Sequence, residues 1–209
     1  MNAPAPHAAS AHDIAGRIGP NSITRMAEAI DAACGRATTE RIFAAAGLSA
    51  CLSTPPTEMV DEAWVTRLHA ALRHELPAEL CARIGRDAGR RTGDYLLAVR
   101  IPKPAQAILR VTPAPLAARI LVAAIGKHAW TFAGSGAFSV RFGAAEAPLL
   151  LTIAHGPICR DAHSATAVCD FYAGTFARIF GELVRRGTTV EEIRCEAKGD
   201  PECVFAVRW

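Results

Sequence analysis

Residues 190–209 read VEEIRCEAKGDPECVFAVRW, and the fold turns on them. VEEIR has the length and branched side chains of a short strand, Lys198-Gly199-Asp200-Pro201 is a tight turn, and CVFAVRW is a last strand, so a hairpin is expected here. Cys195 and Cys203 then sit at strand ends where their thiols can approach each other. Glu192 precedes Cys195 by three residues, so the strand must bend to bring its carboxylate alongside. A metal clip, a redox pair and the packing of small apolar side chains all fit two thiols around a turn. The short CxxC spacing is absent, and spacing alone leaves the three open.

Working upstream, CDFYAGTFARIFGELVRRG belongs to a long helix expected from about Ser164, with Cys169 on it. PLLLTIAH reads as a buried strand and AFSVRF as a half-buried one, apolar residues alternating with polar ones. Before them the texture is helical. Ser22 is a candidate cap for ITRMAEAIDAAC, which Gly35 ends; TTERIFAAAGL ends at Gly47; Asp61 caps the helix carrying Trp64, Leu68 and Leu72. Pro77 suits the first position of AELCARIGRDAGRRTGDYLLAV, IPKP breaks that helix after Ile101, and Pro115 opens LAARILVAAIG. Gly85, Gly89 and Gly93 would give the helix after Pro77 a smooth face, suited to close helix packing or to a bulky ligand. A helical N-terminal half, followed by a small antiparallel sheet carrying one long helix, is an α+β arrangement. Residues 1–17 are expected to be a flexible arm and 18–209 a single domain with a helical N-terminal extension.

At 51% hydrophobic and 21% charged residues, the composition is that of a folded chain with a substantial core. The formal charge of +3 and the scattered arginines do not predict a nucleic-acid surface, and the cluster Arg83, Arg86, Arg90, Arg91 reads as a solvated helix face. MNAPAPHAASAHD lacks the pattern of a secretory signal, and no apolar run reaches the roughly 18 residues of a membrane span. A cytoplasmic location is expected, with peripheral contact to a membrane compatible with it. In that compartment the seven cysteines are thiols or metal ligands. Cys34, Cys51 and Cys81 read as buried thiols on helices. Cys169, Glu192, Cys195 and Cys203 together offer three thiolates and a carboxylate, enough for a closed tetrahedral site that suits zinc, with iron as the other candidate.

TTERIFAAAGL, the PPTEMV turn, the Cys169 segment and VEEIRCEAKGDPECVFAV resemble the 4-vinyl-reductase domain family, and in full length the chain is similar to a bacteriochlorophyll-biosynthesis member. The likeness runs from about Ile18 to Trp209 and is most specific in the last segment. It implies a helical layer on an antiparallel sheet, binding of small hydrophobic molecules, and a homodimer. In effector-sensing relatives a zinc is held by a helix cysteine, a glutamate and two hairpin cysteines, and Cys169, Glu192, Cys195 and Cys203 match that pattern. The resemblance further implies a tetrapyrrole ligand, so the chain is expected to be an accessory or carrier protein for divinyl (proto)chlorophyllide-type intermediates. An 8-vinyl reductase and a ligand-responsive interaction module, recruiting biosynthetic enzymes, are the alternatives.

Reduction would need an electron donor. GSGAF at Gly134 precedes a strand where a dinucleotide-binding turn precedes a helix, and no paired CxxC motifs suggest an iron–sulfur cluster. No catalytic residue is assigned, since nothing in the sequence fixes His155 and Asp161 as an acid–base pair. Trp130, Phe132, Phe138 and Phe142 near the first strand, with Phe171, Tyr172 and Phe176 on the long helix, could line a space for a flat macrocycle. His128 and His155 are candidate axial ligands for a pigment metal. Lys127, Arg141 and Arg160 are candidate partners for its carboxylates.

Overall fold

Glycine and proline punctuate the helical half much as its composition suggests. The structure, a computed structural model, describes residues 16–209; the expected arm therefore lies outside the described residues up to position 15. Arg17 already pairs with Asp61 in a two-stranded ribbon of β1 (Arg17–Ile18) and β2 (Val60–Asp61). Helix α1 (Asn21–Cys34) stops at Gly35, whose φ of 77° lies in the left-handed region. Helices α2 (Arg36–Ala45) and α3 (Ala50–Ser53) flank Gly47. Asp61 caps α4 (Glu62–Glu75), its carboxylate accepting the Ala63 amide at 2.8 Å. Ser22 does not cap α1. It lies inside the helix, and its hydroxyl donates back to the Gly19 carbonyl at 2.7 Å. Ile23, Met26, Ile30, Ile42, Phe43, Val65, Leu68 and Leu72 of these helices are buried in one core.

Helix α5 (Ala78–Tyr95) starts one residue after Pro77 and runs into a π-helical turn, Leu96–Arg100. The buried amide of Gln106 donates to the Leu97 and Ile101 carbonyls at 2.6 and 2.7 Å, supplying partners at that irregular end. Gln106 belongs to α6 (Lys103–Val111), a helix the sequence reading passed over. Its prolines had suggested only a break, but Pro104 falls in the first turn, where no amide is needed. Helices α7 (Ala114–Lys127) and the short α8 (Trp130–Ala133) lead into the sheet.

Strands β3 (Ala137–Phe142), β4 (Leu149–Ala154), β5 (Thr189–Arg194) and β6 (Cys203–Arg208) form one antiparallel sheet in the order β3-β4-β6-β5. The closing hairpin is therefore β5–β6, and its pairing is irregular between Glu192 and Arg194, the bend that Glu192 required. Helix α9 (Asp170–Leu183) lies on the sheet, with Tyr172 and Phe176 set against Phe205 at ring distances of 6.0 and 5.8 Å. It starts later than expected. The chain from Ser164 to Cys169 is tied down instead, Ser164 donating to the Ala197 carbonyl and Cys169 to the Glu192 carboxylate. Cys169 thus occupies the cap position of α9, outside the helix proper.

The two long helices meet along glycines. A Cβ on Gly89 would lie 2.2 Å from the Phe171 carbonyl oxygen, and one on Gly174 would lie 2.4 Å from that of Arg86. Thr175 donates to the Gly89 carbonyl at 3.1 Å across the seam. The smooth face of α5 therefore serves close helix packing and holds no ligand space.

Candidate functional site: a four-thiol cluster

Four cysteines from distant parts of the chain converge where β4, α9 and the closing hairpin meet. Cys203 opens β6, and Cys195 follows β5, its amide held at 2.8 Å by the Asp200 carboxylate across the turn. That turn is a short 3₁₀ helix, Glu196–Lys198, closed by Gly199 at a φ of 95°. Cys169 comes from the start of α9, and Cys159 from the loop after β4. The Cys203 sulfur is 3.4 Å from that of Cys159, 3.7 Å from that of Cys169 and 4.0 Å from that of Cys195. All four sulfurs lie within 4.8 Å of one another, and all four residues are buried.

These separations match a metal centre. Four thiolates at about 2.3 Å from a tetrahedral ion stand about 3.8 Å apart. A disulfide would need about 2.05 Å, and all seven cysteines are free. The cluster could therefore hold a metal ion. Hydrogen bonds from Cys159, Cys169 and Cys203 push the Cys195 thiol down, while the shared protons push Cys169 and Cys203 up. One thiolate forms readily, and the others deprotonate when a cation replaces their protons. A half-buried cation stands by: Arg73 donates to the Ile158 carbonyl at 3.0 Å, and its charge interacts with Cys169, Cys159 and Cys195.

Of the expected metal residues, the structure brings together Cys169, Cys195 and Cys203, and sets Glu192 at their edge. One Glu192 oxygen accepts the Cys169 amide at 2.8 Å, and the other is buried without a partner. Burial first, and then the nearby Cys195 charge, push this carboxyl up to about 8. Such an orphaned oxygen is what a nearby cation would satisfy. Cys159 takes the fourth place. Its sequence signal was arithmetic only, as the one cysteine among seven left without a role, ten residues before Cys169. Cys34, Cys51 and Cys81 lie apart from the cluster, against the apolar core.

The loop carrying Cys159 is braced by a second constellation. Glu62, at the start of α4, accepts from the Ser135 amide at 2.7 Å, the Ser135 hydroxyl at 2.6 Å and the Arg160 guanidinium at 2.6 Å. The GSG stretch is thus a cradle for a carboxylate; a Cβ on Gly134 would stand 2.0 Å from Glu62 Oε2. Burial alone would raise the Glu62 carboxyl, but Arg160 and Ser135 outweigh it and hold the group below its ordinary value. Arg160, a candidate for a pigment carboxylate, has this partner within the protein. His155 and Asp161 both have a φ of 58°, so the loop bends sharply at each end of the Cys159 segment. His69, which the sequence reading did not single out, is fully buried, neutral and edge-on to Phe171 at 6.2 Å.

The aromatic candidates divide. Phe132, Phe138, Tyr172 and Phe176 form one cluster with Phe205, Phe132 standing 5.4 Å from Phe138 and 6.0 Å from Phe176, and Phe171 adjoins Tyr172 at 6.1 Å. The Tyr172 hydroxyl donates to the Phe132 carbonyl at 2.7 Å, fastening α8 to α9. The rings fill the space between helix and sheet. Trp130 is on the surface, Phe142 lies 4.6 Å beneath the Arg119 guanidinium, and His128 and His155 are exposed. His155 faces Glu196 rather than the aromatic cluster.

Three of the four strands, the helix that covers them and all four clustered cysteines fall within residues 149–209, the segment that matches the 4-vinyl-reductase domain. Two relatives extend the match over the helical half. The chain is 44% identical, over 92% of its own length and 90% of the relative's, to the bacteriochlorophyll synthase 23 kDa chain of Cereibacter sphaeroides. It is 40% identical, over 91% and 86%, to the protein of that name from Rhodobacter capsulatus. The chain belongs to the family of the bacteriochlorophyll synthase 23 kDa chain. An H-NOX protein from S. oneidensis is loosely similar in shape, with a TM-score of 0.47 and 9% identity over 91% of this chain and 95% of that one.

Proposed function

We propose that the protein acts in bacteriochlorophyll biosynthesis as a tetrapyrrole-binding accessory or carrier protein for divinyl (proto)chlorophyllide-type intermediates. The observation that carries this reading is the near full-length identity to two bacteriochlorophyll synthase 23 kDa chains. The aromatic seam supports the ligand class. Phe132 and Phe138 are only partly buried, and α8, a helix of one turn, covers the seam through the single Tyr172–Phe132 bond. Lifting α8 would expose Phe132, Phe138, Tyr172 and Phe176 as a flat apolar wall for a macrocycle. Trp130 would flank the entrance. Phe142, Phe171, His128 and His155 lie around this seam as secondary candidates.

In the same proposal Cys159, Cys169, Cys195 and Cys203 hold a structural zinc, with Glu192 positioning Cys169 from outside. Four soft thiolates suit zinc, which would tie α9 and the Cys159 loop to the hairpin without opening a coordination position. A homodimer in the cytoplasm completes the reading.

The test is the visible spectrum of the protein mixed with divinyl protochlorophyllide, followed with and without NADPH. A saturable shift with no monovinyl product is expected. Catalytic accumulation of monovinyl pigment would replace the carrier with an 8-vinyl reductase. No shift, together with capture of a biosynthetic enzyme, would replace it with an interaction module.

A further inference from the structure

Between Asp94 and Glu146 the chain has no acidic residue, yet it carries Arg100, Lys103, Arg110, Arg119, Lys127 and Arg141. All 20 Asp and Glu residues lie outside this stretch, in a protein whose net charge is only +3. The same stretch holds every strongly exposed large apolar side chain among the described residues: Val99, Ile108, Val111, Leu116, Ile120 and Trp130, from 42% to 84% exposed. The two features coincide on the α6–α7 pair.

The placement is regular. Ile108 and Val111 are one turn apart on α6, and Leu116 and Ile120 one turn apart on α7, so each helix turns an apolar ridge to solvent. The inner residues Leu109, Ala117, Ala118, Leu121 and Val122 are buried in the core, so the outer ridge is additional to what the fold needs. Among the described residues Arg110 alone of the six cations has a carboxylate partner, Glu182 at 2.7 Å. The others face solvent or an aromatic ring, as Arg119 does over Phe142.

We propose that the outer face of α6 and α7 docks on an anionic lipid surface. Apolar side chains rimmed by lysine and arginine enter the interface of such a bilayer while the cations meet its headgroups. No described helix is long and apolar enough to cross a membrane, so the contact is a surface one. The charge distribution selects this partner over a second copy, which would set one cationic face against another. The ridge is aliphatic and offers no stacking platform for nucleic-acid bases. The inference does not depend on pigment binding.

Vesicle flotation of the whole protein tests it, using phosphatidylcholine with and without phosphatidylglycerol. The protein is expected to float with the anionic vesicles only. Raising salt from about 0.1 M to about 1 M, which shortens the screening length from about 10 Å to about 3 Å, should reduce binding at least about tenfold. Ile108→Glu combined with Ile120→Glu should do the same at low salt, with circular dichroism unchanged. Arg100→Gln with Lys127→Gln repeats the test without touching an apolar residue. Failure to float with anionic vesicles, or flotation indifferent to both folded variants, would overturn the proposal. So would sedimentation revealing a dimer that Ile108→Glu/Ile120→Glu dissolves, since the face would then belong to a second copy.

Discussion

Glu62 is held by three donors from three segments, and its carboxylate is worth more folded than unfolded. Glu62→Gln should destabilise the protein by about 2 kcal/mol at neutral pH, because hydrogen bonds to a buried charge are lost. Its folded pKa lies below the ordinary value of 4.5. The stabilisation is therefore full above pH 4.5 and disappears as pH falls through the folded value. Urea unfolding of both proteins along that descent should find the gap narrowing; a constant gap would remove the ion pair as its cause. At the thiol cluster the same scale separates ligand from neighbour. Cys159→Ser and Cys195→Ser should each cost most of the bound metal, read by elemental analysis. Glu192→Gln should retain it while loosening the cap of α9, since the amide oxygen can still accept the Cys169 amide. Metal retained in Cys159→Ser but lost in Glu192→Gln would exchange the two roles.

Among the elements, the α5–α9 seam makes a graded prediction. Gly85→Ala puts a Cβ 3.1 Å from the Asp170 Cβ, whereas Gly89→Ala puts one 2.2 Å from the Phe171 carbonyl, which is backbone and cannot swing aside. The first should cost about 1 kcal/mol and the second about 3 kcal/mol, measured as shifts in the denaturant midpoint. Equal costs would mean that the helices separate freely. Tyr172→Phe removes the single bond holding α8. It should destabilise by about 1 kcal/mol and, if the seam admits pigment, raise affinity by easing the lift. Fluorescence titration against divinyl protochlorophyllide reads that change.

For the whole molecule the metal is the tie. A bound ion would join three segments separated by up to 44 residues, from Cys159 to Cys203, and its binding energy is folding energy. Chelation should therefore lower the melting temperature by about 10–20 °C, the effect of about 5 kcal/mol in a chain of this size. An unchanged melting curve after verified metal removal would make the cluster a packed thiol core.

Much of this protein was present in local sequence. The strands AFSVRF and PLLLTIAH, the Asp61 cap, the Gly35 stop and the closing hairpin follow from periodicity and backbone preference, which act over a few residues. The three glycines of α5 likewise announced a smooth face, though only their partner, α9, decided that the face is filled by a helix. Ser22 and the start of α9 were misplaced because tertiary hydrogen bonds, to Gly19, Ala197 and Glu192, overrode local capping rules. Cys159 joining the cluster, Glu192 standing at its edge and the GSG turn wrapping Glu62 needed the closed tertiary structure. Each depends on segments tens of residues apart meeting within a few ångströms, and no local preference encodes such a distance.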